Sequence, residues 1–192
     1  MAGPRYRIRP ARRGDLESLL AMQERSVRAL ASRFYAPRVI DCLLRHMGTM
    51  DPEVIDEGHY FVAEADDGRV AGSGGWSRRA PSYDGGTGRA TVVDLRAEDQ
   101  ALMRSVFVDP EWARQGIASA VVRRIEATAA AAGVRRIGLL AALSGVPLYR
   151  ALGYRVLGAA RHECCDGVVV ESVEMAKRLR GAPTPRSKRA AA

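Results

Sequence analysis

The order of apolar segments and turn signals predicts an α/β fold, in which one mixed, mostly antiparallel sheet is flanked by helices. Short apolar stretches with strand character alternate with segments of helical periodicity along most of the chain. Between 101 and 142 a strand, a tight turn, a helix and another strand follow one another. The last two apolar stretches are joined by Asp166-Gly167, a dipeptide typical of an antiparallel hairpin.

The length and composition suit one domain. With 192 residues, 47% of them hydrophobic, the chain can bury a continuous core without disulfides or a structural metal. We expect this domain to span 1–180. The remaining segment, 181–192, reads GAPTPRSKRAAA, with two prolines and almost no large apolar residue, which predicts a basic, disordered tail.

The net charge of +8 is unevenly distributed, because six cations and no acid follow Glu174. The rest of the chain is nearly neutral, so a nucleic-acid partner is disfavoured and a solvated tail is the simpler interpretation. No apolar run approaches the roughly 18 residues of a membrane span, and the amino terminus lacks a signal-peptide core. A soluble, cytoplasmic protein without a membrane partner is expected.

The cysteines indicate neither a disulfide framework nor a metal site. Their number is odd, no CxxC pair occurs, and no histidine lies at ligand spacing. We therefore predict reduced thiols and no bound metal; the three residues are Cys42, Cys164 and Cys165.

The first half of the chain predicts a strand, two helices and a hairpin. RYRIRPA is a candidate strand, and Asp15 is a candidate N-cap for a helix whose apolar positions recur at helical spacing up to Val27. A second helix begins at Pro37 and reaches Met47. HYFVAEADDGRVAGSGGWS predicts a hairpin that turns at Asp67-Gly68. The segment 77–100 is predicted to be a long excursion, with a short strand at 91–95.

The second half has a sharper pattern. A strand from Ala101 to Val108 leads through DPEWARQG into a helix from about Ile117 to Ala132, which Gly133 should end. RRIGLLAAL is the next strand, and a short helix begins near Pro147. Two strands close the chain, within YRVLGAARHECC and VVVESVEMAKRL.

The turn before the helix at Ile117 is a candidate phosphate site. A helix N-terminus presents unpaired amide groups and a partial positive charge, which attract anions. Small residues at Gly116 and Ala118 allow close approach to the backbone, and Arg114 can add a positive charge. The alternative is a glycine needed only for sterics. The turn has neither the Walker sequence nor GxGxxG spacing.

Two segments resemble the GCN5-related N-acetyltransferases. VDPEWARQGIASAVV is similar to their acetyl-CoA motif Q/R-x-x-G-x-G/A, with Gly116 and Ala118 at the two small positions. The first motif position, usually Gln or Arg, is Ala113 here, so one pyrophosphate contact is either absent or supplied by Arg114. About 30 residues further on, VPLYRALGY resembles a second landmark of the family.

The resemblance implies about seven strands and about four helices, with the fourth and fifth strands splayed apart around the pantetheine arm of acetyl-CoA. Backbone groups of Val106, Phe107 and Val108 would bind the arm and the thioester carbonyl. Ser26–Tyr35 and the segment 77–100 would shape the pocket for the acceptor. The implied pyrophosphate-binding residues are Ala113, Arg114, Gln115, Gly116, Ile117, Ala118 and Ser119.

The resemblance gives the proton for the departing thiolate to Tyr149, because a phenol with a pKa of about 10 stays protonated at neutral pH. From spacing alone, Tyr149 is also compatible with simple core packing. The general base is not identified, since ALMRSVFV contains an arginine and no acid. A water relay is one interpretation; possible carboxylate bases are Asp94, Glu98 and Asp99, and possible contributors to an acidic acceptor pocket are Glu24, Asp41 and Asp94.

The predicted function is direct acetyl transfer from acetyl-CoA to a primary amine of a small molecule or peptide. A non-catalytic acyl-CoA sensor and a protein acetyltransferase are the alternatives. A nucleic-acid-binding module is the weakest, because the charge is concentrated in the tail. Both a monomer and a homodimer are compatible with the sequence.

Overall fold

The computed structural model describes residues 6–47, 50, 52–79, 93–163 and 167–179. Seven strands form one sheet in the order β1-β2-β3-β4-β5-β7-β6. Only β4 and β5 are parallel, and all other neighbours are antiparallel. The predicted mixed, mostly antiparallel sheet is thereby confirmed. The strands are β1 (Tyr6–Pro10), β2 (Tyr60–Ala65), β3 (Val70–Ser77), β4 (Gln100–Val108), β5 (Arg136–Ala142), β6 (Arg155–Glu163) and β7 (Val169–Arg178).

The described ranges contain five α-helices where the sequence predicted about four. The additional helix is a single turn, α3, just before the β2–β3 hairpin. The predicted second helix covers the expected residues, but only its first part is α-helical. The α-helix ends at Cys42, and Leu43–Met47 form one π-helical turn. The helices are α1 (Leu16–Leu30), α2 (Pro37–Cys42), α3 (Glu53–Asp56), α4 (Ile117–Ala131) and α5 (Val146–Ala151).

Asp15 occupies the N-cap position of α1 but makes no capping bond to it, which corrects the sequence prediction. Its carboxylate accepts two hydrogen bonds of 2.8 Å from the Arg9 guanidinium and one of 2.7 Å from the Arg12 N–H. Asp15 is the last residue of a 3₁₀ turn, Arg13–Asp15, so its carboxylate closes that turn on the Arg12 N–H instead of bonding to an amide of α1. Asp15 therefore ties β1 to the start of α1.

The two faces of the sheet bury different helices. On one face α4 and α5 cover the largest apolar cluster, which includes Trp76, Ile125 and Met175. On the other face α1 and α3 cover a second cluster, which includes Met22 and Val62. Strand alternation accounts for both, since neighbouring residues of one strand face opposite layers.

The glycine stops of the second half form as predicted. Gly133 follows α4 with φ +88°, and Gly153 follows α5 with the same φ. The last two strands form the predicted hairpin, with β7 between β5 and β6. Val93–Leu95, the described part of the predicted strand at 91–95, is not extended into a strand. Cys164, Cys165 and the predicted tail 181–192 lie outside the described residues.

Candidate active site

Strands β4 and β5 pair only at their first residues. The ladder joins Gln100–Leu102 to Arg136–Gly138 and extends no further. Beyond Leu102, β4 pairs with β3 alone. The β3–β4 register shifts by one residue there, so that two residues of β4 lie opposite Gly74. A gap therefore opens between the carboxyl-terminal halves of β4 and β5, which confirms the splayed pair that the sequence resemblance implied.

A bulge at Ser105 shapes β4 beside this gap. Ser105 has φ +51°, in the left-handed region that residues with a Cβ rarely adopt. Such a conformation persists only where surrounding contacts hold it. The bulge adds one residue to β4 relative to β3, so it sets which backbone groups of the following residues face the gap.

The side chains of the three predicted residues on β4 lie on both faces of the sheet, and their backbone amides alternate between its two edges. Val106 and Val108 pack against the cluster under α4, whereas Phe107 packs against the opposite layer. The N–H of Asp109 donates to the Ala71 carbonyl of β3 at 3.0 Å. Because successive N–H groups of a strand point to opposite edges, the N–H of Val108 faces the gap. This amide can therefore meet a ligand carbonyl there.

The turn after β4 leads directly into α4. The Asp109 carboxylate accepts the Glu111 N–H at 3.0 Å and starts a 3₁₀ turn at Pro110–Trp112. Arg114 and Gly116 then adopt positive φ values of +64° and +83°, and α4 begins at Ile117. The first amides of an α-helix have no acceptor within the helix, so those of Ile117, Ala118 and Ser119 point outward.

Space is available in front of these amides. Gly116 is exposed, and a Cβ placed on it would meet no atom within 4 Å. Arg114 and Gln115 are also exposed, while Ala118 and Ser119 are half-buried. An anion can therefore approach the helix N-terminus, which carries about half a positive charge.

Two glycines of β3 let α4 lie close to the sheet. A Cβ at Gly72 would be 2.7 Å from Ile117 Cγ2, and one at Gly74 would be 3.0 Å from Val121 Cγ1. Ile117 itself is buried. The first turn of α4 thus packs directly on β3, which also pairs with β4. This packing fixes the position of the turn relative to the gap.

Tyr149 lies on α5, the helix that follows β5. It is buried in the same apolar cluster as Val106 and Val108, and its ring meets the edge of Tyr154 with the centroids 5.5 Å apart. Burial raises the pKa of Tyr149 above its usual value, so the hydroxyl stays protonated. Among the described residues none forms a hydrogen bond with that hydroxyl, which leaves its proton available.

An apolar cluster covers the opposite face of the gap. It contains Val27 and Tyr35, from the Ser26–Tyr35 segment predicted to shape the acceptor pocket, together with Phe107 of β4 and Leu143 after β5. The Tyr35 hydroxyl donates to the Glu171 carbonyl at 2.7 Å and accepts the Leu143 N–H at 2.9 Å. Tyr35 therefore joins the α1–α2 connection to β5 and β7.

The candidate bases do not reach the gap. Asp94, Glu98 and Asp99 are exposed and precede β4, at the end where β4 and β5 are still paired. Arg104, which occupies β4 itself, is buried and donates to the Arg79 carbonyl at 3.3 Å.

Two of the three carboxylates suggested for an acidic acceptor pocket are paired with an arginine. Glu24 and Asp41 both pair with Arg28, at 2.9 and 3.1 Å. Each pair is exposed, so neither carboxylate is held ready for a cationic ligand by burial.

Sequence reasoning missed the polar residues behind the gap. Arg25 of α1 pairs with the buried Asp109 carboxylate at 2.6 Å and so links α1 to the turn. Gln23, Tyr60 and Ser73 form a buried hydrogen-bonded group beside the Ser105 bulge. The only signal in the sequence was the position of Gln23, a polar residue at an apolar position of α1.

The described ranges hold no cluster of three or more His, Cys, Asp or Glu side chains that is arranged to bind a metal ion. None of the helices in those ranges combines the length and apolar character needed to cross a bilayer.

Comparison with known proteins places the chain in a family. Residues 56–156 match the family described as the acetyltransferase (GNAT) domain. A GCN5-related N-acetyltransferase from Rhodopseudomonas palustris has a similar structure, with a TM-score of 0.69 and 15% identity over 93% of this chain and 99% of that one. Curated protein sequences give no significant match.

Two similar structures contain the cofactor. PaiA N-acetyltransferase from Thermoplasma acidophilum, in complex with coenzyme A, has a TM-score of 0.64 and 16% identity over 90% of this chain and 98% of that one. A phosphinothricin acetyltransferase from Sinorhizobium meliloti, in complex with acetyl-CoA, has a TM-score of 0.63 and 22% identity over 96% and 95%. The family match covers more than half of the sequence and the fold agrees throughout, so the chain belongs to the GNAT acetyltransferase family.

Proposed function

We infer that the protein is an acetyl-CoA-dependent N-acetyltransferase that acts on a primary amine of a small molecule or peptide. The observation that carries this inference is the gap between β4 and β5 beside the open N-terminus of α4. One edge of β4 is left without a partner strand there, and an extended amide-containing chain fits such an edge. Two of the similar structures are complexes with coenzyme A or acetyl-CoA, which supports the same ligand here.

The turn supplies the contacts for the pyrophosphate. The amides of Ile117, Ala118 and Ser119 would donate to its oxygens, and Gly116 leaves room for the phosphates because no side chain occupies that position. The exposed Arg114 would add a charge where the family pattern has its first motif residue, which is Ala113 in this chain.

A backbone amide of β4 and the Tyr149 hydroxyl have the chemical roles. By the alternation that turns the Val108 N–H to the gap, the Val106 N–H faces it too, and an amide of Val106–Val108 would donate to the carbonyl oxygen of the thioester and stabilise the negative charge that develops on it during attack by the amine. The Tyr149 hydroxyl would donate its proton to the sulfur as the carbon–sulfur bond breaks. The attacking nitrogen loses a proton to solvent, since the carboxylates suggested from the sequence lie away from the gap.

The test is a screen of the full chain with acetyl-CoA and a panel of primary amines, including amino acids, polyamines and peptides. Release of free thiol that depends on the amine, with the acetylated amine identified by mass spectrometry, is the expected result. Tight binding of acetyl-CoA without turnover across the panel would favour the non-catalytic sensor instead. Turnover of peptides alone would favour a protein acetyltransferase.

A further inference from the structure

A buried polar group touches the Ser105 bulge from the layer opposite α4. The Tyr60 hydroxyl lies 2.9 Å from the Ser105 carbonyl oxygen and 3.0 Å from Ser73 Oγ. Gln23 Nε2 lies 2.9 Å from the same hydroxyl and 3.3 Å from Ser73 Oγ. Gln23, Tyr60 and Ser73 each expose no more than 1% of their surface. We call these three residues the bulge network.

With Gln23 Nε2 facing the Tyr60 hydroxyl, as in this structure, hydrogen-bond counting gives the direction of the Tyr60 proton. The Gln23 amide nitrogen is a donor only, so Tyr60 accepts from it. Ser73 accepts from Gln23 and donates to Tyr60, which uses both acceptor positions of the phenol. The single Tyr60 proton is then directed at the Ser105 carbonyl, which cannot donate.

This contact explains why the strained bulge persists. A serine at φ +51° and a carbonyl turned out of the β3–β4 ladder both cost free energy. The Tyr60 hydroxyl donates to that carbonyl at 2.9 Å and so offsets part of this cost. Burial also raises the pKa of Tyr60, so its proton is retained.

We propose that Tyr60, oriented by Gln23 and Ser73, is a positioning residue that holds the β4 bulge and so directs the gap-facing amides of Val106–Val108 at the acyl carbonyl of the bound thioester. Tyr60 does not touch the ligand itself, because its ring lies in the layer beneath β4 with Val54 and Val62. The inference rests on the proposed function for the identity of the ligand. Its effect should therefore concern the acetyl group and leave the pyrophosphate contacts unchanged.

The experiment compares acetyl-CoA with CoA on the full chain carrying Tyr60→Phe. Only acetyl-CoA has the acyl carbonyl that an amide of Val106–Val108 would meet, so calorimetric affinities for the two ligands separate that contact from all others. We expect the preference for acetyl-CoA over CoA to fall about five-fold in the variant, the size of one lost hydrogen bond, with CoA affinity unchanged. Amide hydrogen exchange at Val106–Val108 should accelerate in parallel.

The control is Thr128→Val, which removes a part-buried hydrogen bond, 3.1 Å from Trp76 Nε1 to the threonine, on the face of the sheet opposite the bulge network. It should alter neither the ligand preference nor exchange at Val106–Val108. Gln23→Met serves if Tyr60→Phe does not fold, and it should shift the preference in the same direction. An unchanged preference and unchanged exchange in a folded variant would overturn the inference. Wild type that binds neither ligand would instead overturn the proposed function.

Discussion

At the scale of single residues, the site depends on groups whose state is set by burial. Tyr149 is enclosed by the main cluster, and desolvation raises its pKa because the phenolate would lose its hydration. The hydroxyl is therefore protonated at neutral pH. A protonated phenol next to a departing thiolate is a donor, whereas the same ring in an ordinary core only fills space.

Tyr149→Phe should lower kcat at least about 100-fold, the usual range for loss of a general acid, while the affinity for acetyl-CoA changes little. Steady-state kinetics with the amine found in the screen, together with calorimetry, measure both. Tyr6→Phe is a suitable control, because Tyr6 lies on the edge strand β1. Unreduced kcat in Tyr149→Phe would show that Tyr149 only packs.

At the scale of elements, the close packing of α4 on β3 sets the position of the turn at Gly116. Gly72 and Gly74 provide the room, and Ile117 fills it from the first turn of the helix. The sequence predicted α4 and its glycine stop correctly, because periodicity and Gly133 are local signals. It did not reveal why β3 is rich in glycine, since that reason is a contact with a helix that lies far along the chain.

Gly72→Ala should destabilise the protein by about 1–3 kcal/mol, because the new methyl group would meet both Ile117 Cγ2 at 2.7 Å and the Phe107 carbonyl oxygen at 3.1 Å. Urea denaturation followed by circular dichroism measures the change. The matched control is Gly158→Ala on strand β6, where a Cβ meets nothing within 4 Å, and its effect should stay within about 0.5 kcal/mol. Equal effects of the two changes would contradict the packing argument.

Residues that act through long-range contacts were the least predictable. The neighbouring residues predicted that Asp15 caps α1, but its carboxylate accepts two hydrogen bonds from Arg9 of β1. Tyr60 and Ser73 gave no signal, because their meeting requires two strands and a bulge in register. The turn at Gly116 was a candidate phosphate site from its own residues, whereas the role of Tyr149 came from the family resemblance; both roles stay predictions.

At the scale of the whole molecule, an ion-pair network joins the first strand to the rest. Arg9 binds Asp15 at 2.8 Å and Glu64 at 2.5 Å, and so connects β1, the start of α1 and β2. The hydrogen bond from Arg9 lowers the pKa of Asp15. Arg7 and then Arg9 lower the pKa of Glu64.

Because both carboxyl pKa values are lower in the folded protein, the network contributes stability above the unfolded values near about 4, and that contribution is lost as the pH falls through the folded values. Arg9→Met should therefore reduce the free energy of unfolding more at about pH 6 than at about pH 3. Urea titrations of both proteins at the two pH values measure the difference. A reduction that is the same at both pH values would show that Arg9 acts through packing alone.

The general architecture was predictable from the sequence, whereas partners and location were not. Alternating strands and helices with local turn signals predicted the mixed sheet and the final hairpin, both of which the structure confirms. The disordered tail 181–192 and a cytoplasmic location stay predictions of the sequence, which is compatible with both a monomer and a homodimer. The identity of the amine is not encoded in any local motif, because the residues that cover the gap come from segments far apart in the chain.

The most direct test of acetyl-CoA binding at the turn is calorimetric titration of the full chain, using wild type, Gly116→Trp and Gly133→Trp. Both glycines have positive φ, +83° and +88°, and open space where a Cβ would lie, so the backbone strain is matched. We predict micromolar binding by wild type and Gly133→Trp and none by Gly116→Trp, whose side chain would fill the phosphate site. No binding by folded wild type, or equal binding by all three, would contradict this prediction.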